Sequence, residues 1–399
     1  MKKLFAILVA FALILFLPSA MAEGKTYGDP IIFGLTTPVT GPQAAGGLQA
    51  ANGLKLKVEE INAAGGIELS DGWHLIEVRT EDDQGDATLC DTTVRKLVSE
   101  SAAVIFGPYF SGMTLALDGT MRELGVPLVN SATSIRIPEL ENPWIWRCRC
   151  DDGLNVLILG KAVIDDYTAK FGSTEGLLVG IICNNDETGT SAASSYKAFF
   201  EERGIAYYED YHNKDDADLT AYIQKAVGAG VNAWVSSTHD IAAAALAKAM
   251  YEAGLRDQIV YMNPILAQAQ VLELMEPEWV EGWGCVSDYA ASDPRPAQAA
   301  FTQAWYAAYG MNVTPDVQGA LYYSHATVAI EAIRNADSAN PADIRDAIAA
   351  LYGLDTIVGT VYASEYTNLL YEISVTKIVD LVPSIVGSLS MAADYGFGN

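Results

Sequence analysis

Short apolar runs alternate with helical patterns along this chain from residue 31 onward. Ile31-Ile32-Phe33-Gly34-Leu35 leads into a Thr/Pro/Gly loop, and Ala51, Leu54, Val58 and Ile61 then recur at steps of three, four and three. Those steps place four apolar side chains on one helix face, and Gly65-Gly66 stops the helix. His74 to Thr80 predicts a strand with the acidic exit Glu81-Asp82-Asp83, and Cys90, Val94, Leu97 and Val98 mark the next helix. Ala103 to Phe106 is a third strand, followed by a helix carrying Met113, Leu117, Met121 and Leu124; Val126 to Asn130 is a fourth, entering the loop Ser131-Ala132-Thr133-Ser134. After Trp144-Ile145-Trp146-Arg147-Cys148-Arg149-Cys150 the cycle restarts. Strands are predicted at Leu177–Ile182, Ile205–Asp210, Asn232–Ser237 and Gln258–Met262, with helices near 190–203, 218–229 and 241–253. Helical segments recur near 297–309 and 316–335, and the end of the chain is mixed and strand-rich.

Strands that are nearly all apolar, joined by helical crossovers, are parallel strands buried on both faces. The fold class is therefore α/β, with two successive doubly wound parallel sheets and ligand crevices at the carboxyl ends of the strands. The length of 399 residues, half of them hydrophobic, agrees with two lobes and not one core.

The first residues add a compartment. Lys2 and Lys3 precede an apolar run from Leu4 to Leu17, and Ala20-Met21-Ala22 is a small-x-small cleavage site. This reads as a signal peptide over residues 1–22, cleaved after Ala22; an uncleaved anchor is the bland alternative. No cysteine follows the apolar run, so a lipid-anchored start is not expected. Asp and Glu number 50 against 24 Lys and Arg, a net charge of −26. That field repels nucleic acid and anionic lipid, and neither is expected as a partner. Five cysteines (Cys90, Cys148, Cys150, Cys183 and Cys285) show no CxxC pair, and their spacing leaves buried free thiols with at most one bridge as open as a defined disulfide framework. Cys148 and Cys150, two apart on an expected strand, would face the same way.

Two strand exits carry candidate chemistry. Gly107-Pro108 allows a sharp turn, and Ser111-Gly112 then offers a hydroxyl and an unobstructed backbone where a helix opens, a place suited to a carboxylate or amide oxygen. Ser131 to Ser134 follows the neighbouring strand and can face the same crevice. The bland alternative is that Ser111 only caps its own helix.

The segments "LTTPVTGP", "GLQAANGLKLKVEEINAAGGI", "EDDQGD", "FGPYFSG" and "VPLVNSATS" resemble, in order and spacing, the periplasmic binding proteins of the branched-chain amino acid type. The resemblance covers essentially the whole mature chain. It implies a venus-flytrap, type I periplasmic-binding fold joined by a three-segment hinge, with residues 27–148 plus about 286–360 in lobe 1 and 149–285 plus about 361–399 in lobe 2. It implies a monomer in the periplasm that captures a small-molecule ligand and delivers it to an ABC permease in the inner membrane, with no cofactor and no metal. By the same resemblance the ligand's carboxylate falls to Ser111, the N–H of Gly112, the carbonyl of Ala132 and Ser134.

The remaining positions depart from that pattern. Thr188 and Thr238 stand where aromatics are usual, Ile265 stands where a glutamate would hold an ammonium, and Gly46 also replaces an aromatic. A buried ammonium without a carboxylate is costly by several kcal/mol, so another partner is needed; Asp151, Asp152, Asp186 and Asp240 are available. Lost bulk at Gly46, Thr188 and Thr238 predicts a wider pocket, with Tyr109, Phe110 or Tyr289 supplying stacking. The expected ligand is a branched-chain or other hydrophobic amino acid, or a bulkier apolar carboxylate; an amide or urea-like solute is the alternative.

Two rival classes remain. An exported enzyme finds little support: His74, His212, His239 and His325 form no HExxH pattern, and no G-x-S-x-G elbow occurs. His239 lies beyond a strand and reaches toward the cleft. A ligand-sensing module sharing the fold is expected to continue into a span and a signalling domain, which the sequence to Asn399 does not show; a soluble sensing module acting on a regulator is the alternative that stays open. The exported chain is expected to begin at Glu23, checked by N-terminal sequencing of the secreted product; retention of residues 1–22 would favour the anchor.

Overall fold

Ile31–Thr37, buried at every position, carries the first lobe's sheet. Its strands run in the order Ile76–Asp82, Ile31–Thr37, Ala102–Phe106, Leu128–Asn130, Ile145–Arg147, all parallel. The structure is a computed structural model and describes residues 25–290, 293, 295–364, 368–370 and 373–389. The expected signal peptide lies outside the described residues. Helices Ala44–Ala63, Ala87–Ser99, Ser111–Ala116 and Asp118–Leu124 supply crossovers. Asp86 starts the second of these by accepting from the N–H groups of Thr88 and Leu89, both at 2.9 Å.

The second lobe repeats the scheme. Ala206–His212, Leu178–Asn184, Ala233–Ser236, Ile259–Met262 and Gly284–Ser287 are parallel in that order. Ile373–Val379 and Val382–Leu389 then extend the sheet antiparallel, so it is mixed where a purely parallel sheet was expected. Gly284–Ser287 lies wholly in this sheet, and the chain next enters helices Pro296–Tyr309, Val317–Ala336 and Pro341–Ala349. Helix Val317–Ala336 packs along Ala44–Ala63 of the first lobe. Asn368 bridges Arg147 at the sheet edge of lobe 1 before the chain reaches Ile373 in lobe 2.

In both sheets the second strand in sequence sits outside the first and the third lies on its other side, so each has a switch point where crossovers leave in opposite directions. The switch points fall beside Thr37 and Phe106 in one lobe and beside Asn184 and Ser236 in the other. Helix Asp152–Phe171 was not predicted: Leu154 to Leu159 is nearly continuous apolar sequence, without clear helical periodicity.

All five cysteines are buried, and no disulfide joins them among the described residues. The same-face expectation for Cys148 and Cys150 fails because the strand ends at Arg147. Cys148 belongs to the larger apolar core that includes Phe33 and Trp146, whereas Cys150 belongs to a separate cluster with Leu154, Val179 and Ile181.

The contact between the two long helices of lobe 1 is close enough to require glycine. A Cβ on Gly53 would lie 2.0 Å from the Gly319 carbonyl oxygen. Gly53→Ala is expected to push the helices apart and cost about 1–3 kcal/mol despite better helix propensity. A lower urea midpoint at unchanged slope checks this.

Candidate functional site

Gly107 brings the third strand against the first. Its φ is 92°, and a Cβ there would lie 2.0 Å from the Thr36 carbonyl oxygen, so only glycine permits the approach. Ser111 follows, and its Oγ accepts from the backbone N–H groups of Thr133 at 3.1 Å and Ser134 at 3.3 Å. The two strand exits are thus stitched together by one hydroxyl. A hydroxyl accepts twice and donates once, so what Ser111 has left to offer is its proton, which suits an oxygen acceptor. Asn130 holds the same loop by accepting from Ala132 N at 2.9 Å and donating to the Trp146 carbonyl at 3.1 Å.

A cavity of about 50 Å³ lies between the lobes at these exits. Of the expected residues, Tyr109, Ser111, Ala132, Thr188, Thr238 and Ile265 line it. The others do not. Gly112 and Asp186 face a neighbouring pocket of about 210 Å³ on the far side of Phe110, together with Thr188. Ser134 is buried and donates to Glu187 of lobe 2, so it is no anchor in the cavity wall. Asp186 caps helix Glu187–Glu202 through Gly189 N and accepts from His239 Nε2 at 2.8 Å. Burial pushes that carboxyl up, but the His239 hydrogen bond and charge and the cap N–H groups outweigh it and hold it below the usual range. Asp240 is buried at the start of helix Asp240–Glu252, and burial raises its pKa.

The predicted widening is also corrected. The space above Gly46 is filled: a Cβ there would lie 2.6 Å from the Tyr109 hydroxyl. Tyr109 in turn donates to Gln268 Oε1 of lobe 2 at 3.4 Å. Tyr289 lies elsewhere, donating to or accepting from Thr302 at 2.8 Å and packing edge-on against Phe301. Phe110 does line the cavity and meets the His239 ring edge-on at 5.1 Å.

Sequence reasoning missed much of the wall. Arg149, Gln268, Gln318 and Asn263 give it a polar lining, together with His239, which the sequence had placed toward the cleft. Arg149 is buried at the first crossing between lobes, and its Nε and Nη2 each lie 3.0 Å from Oδ2 of Asp288, which follows the strand leading to the second crossing. Two arginines set between apolar residues in an acidic chain were the available signal. Asp152, considered only as one acid among four, is buried in the wall and its Oδ2 has no hydrogen-bond partner among the described residues. Burial pushes its pKa up to about 7, against the Ser191 and Thr133 hydroxyls that lower it. Asp316, which caps helix Val317–Ala336 beside Gln318, is likewise pushed up by burial to about 7.

A family profile for periplasmic binding proteins matches residues 30–370. Leu/Ile/Val-binding protein homolog 2 of Brucella abortus (strain 2308) is 27% identical over 253 residues, covering 62% of this chain and 64% of that protein. The match thus spans a little under two thirds of that relative's length. The branched-chain amino acid binding protein LivJ of Streptococcus pneumoniae, solved with isoleucine, superposes with a TM-score of 0.79 at 20% identity, over 90% of this chain and 99% of that one. A Rhodopseudomonas palustris solute-binding protein solved with 4-hydroxybenzoate gives 0.79 at 17% identity, over 93% and 100%. At these identities the superpositions show the fold.

A carboxyl whose pKa is higher folded than unfolded (about 3.9 unfolded) favours the folded state while protonated. That contribution is complete below pH ~4 and is lost as pH rises through about 7. Asp152→Asn removes the loss. Its urea stability relative to the unsubstituted protein is expected to improve steadily from pH 5 to pH 8; a gap independent of pH would contradict the burial of Asp152.

Proposed function

This chain belongs to the periplasmic binding protein family, and we propose that it is the periplasmic, non-enzymatic receptor of an ABC importer, capturing a small carboxylate-bearing solute between its lobes and handing it to an inner-membrane permease. It acts as a monomer. The hinge crossings lie at Cys148 and after Ser287, and Ile373 again belongs to the lobe-2 sheet.

One observation carries the ligand class: a buried guanidinium, Arg149, in the wall of the inter-lobe cavity that Ser111 also lines. A guanidinium matches a carboxylate in charge and in planar geometry, and the Ser111 proton is available to the same oxygen acceptor. The polar lining and the small free volume favour a solute more polar and compact than leucine or a bulky aromatic acid. Ile265 at the position expected for an acid removes one partner for an ammonium, and Asp152 stands in the wall as an alternative. A second reading is favoured by the three carboxamides Asn263, Gln268 and Gln318, which suit an amide or urea-like solute through paired donors and acceptors.

Capture follows from closure. Lobe 1 contributes Tyr109, Ser111 and the 131–133 loop; lobe 2 contributes Thr188, Thr238, His239 and the Asn263–Ile265 turn. A solute touching both sides binds the closed form better than the open one, and that difference shifts the equilibrium.

A thermal-shift screen of short carboxylates, amino acids, amides and urea is expected to select a carboxylate. A ligand at a hundred times its dissociation constant adds about 2.7 kcal/mol, enough to move the melting point clearly. Arg149→Met paired with Asp288→Asn, which removes both buried charges together, is expected to weaken the selected ligand at least about thirtyfold by calorimetry, the ~2 kcal/mol lower limit for a buried charge contact. Selection of an amide, with affinity unchanged in the double variant, would favour the second reading.

A further inference from the structure

Beside the cavity a set of polar contacts joins the lobes. Ser134 Oγ donates to Glu187 Oε1 at 2.7 Å, and Arg136 Nη1 donates to Glu187 Oε2 at 2.9 Å. The backbone N–H of Ile135 donates to Ser191 Oγ at 3.2 Å. Three consecutive residues of one lobe-1 loop thus hold the first turns of one lobe-2 helix, Glu187–Glu202.

None of Ser134, Arg136, Glu187 and Ser191 lines the inter-lobe cavity. Glu187 does not cap its own helix either; Asp186 does that. The Glu187 carboxylate, with 19% of its side chain exposed, therefore directs both oxygens at the opposite lobe.

We propose that Glu187 is a positioning residue, the bolt of an inter-lobe latch that holds lobe 2 over the cavity before any solute arrives. Ser134 and Arg136 are its keeper. The contacts exist only while the lobes are closed, and opening parts a partly buried carboxylate from a hydroxyl and a cation. The latch therefore biases the closed population. Its loss lowers the apparent affinity for every solute by one common factor, the fraction still closed, whereas a residue touching solute changes the ratio between solutes. That consequence rests on the capture reading above; the latch itself is tested without any solute.

The measurement is small-angle X-ray scattering of the mature, solute-free protein, with circular dichroism melting to confirm that each variant is folded. The radius of gyration, about 21 Å for a single compact body of this size, is expected to rise in Arg136→Glu. This variant alters a side chain that is 59% exposed, so its folding is not at risk. The double variant Arg136→Glu with Glu187→Arg restores an opposite-charge pair and is expected to return the radius to the starting value. An unchanged radius in Arg136→Glu, or a double variant as expanded as the single one, would overturn the latch.

Discussion

Two arginines separated by one residue are buried at the first crossing between the lobes, and neither can shed its charge. A buried cation must be answered by a partner or it destabilises the fold, and the answers organise the site. Arg147 donates to the Ser134 carbonyl at 2.7 Å and to Asp151 at 3.0 Å, so it pins the lobe-1 loop to the cap of helix Asp152–Phe171. Arg149 reaches Asp288 and ties the first crossing to the second. The floor of the cleft is thereby set by charge pairing on the hinge itself, and both sheets are built outward from it.

Charge is also concentrated against the grain of the molecule. The chain carries a net charge of −26, yet the cavity wall contains a guanidinium while Asp152 and Asp316, close to that wall, are pushed up to about 7 by burial. An acidic exterior discourages polyanions in bulk, and the guanidinium in the wall is answered by the Asp288 carboxylate. Around that cation the neutral polar groups are held in fixed roles. Ser111 spends both acceptor sites on the neighbouring loop, and Tyr109 fills the gap over Gly46 while reaching Gln268 across the cleft. The lobe-1 side of the site is tied together because its groups bond one another.

Much of the fold was legible because it rests on local periodicity. Ala51, Leu54 and Val58 do form one buried helix face, and Gly65-Gly66 does end it, with positive φ at both glycines. The site was legible only in part. Tyr109, Ser111, Ala132, Thr188, Thr238 and Ile265 line the cavity, as strand-exit residues should. Ser134, Asp186 and Asp240 were credible on position alone, but their side chains answer other needs: a contact to Glu187, a helix cap with His239, and burial at a helix start. Arg149 was passed over because its meaning depends on Asp288, 139 residues away.

The sequence by itself determined the alternation of strand and helix, the parallel strands of both sheets, the two lobes and the strand ends at which a ligand can sit. These follow from apolar spacing and glycine punctuation, which act over a few residues. Only the tertiary structure decided which polar groups face the cavity, which are consumed in holding loops together, and which reach across to the other lobe. A hydroxyl or carboxylate has few bonds to give, and its partner is chosen by proximity in space between segments far apart in the chain.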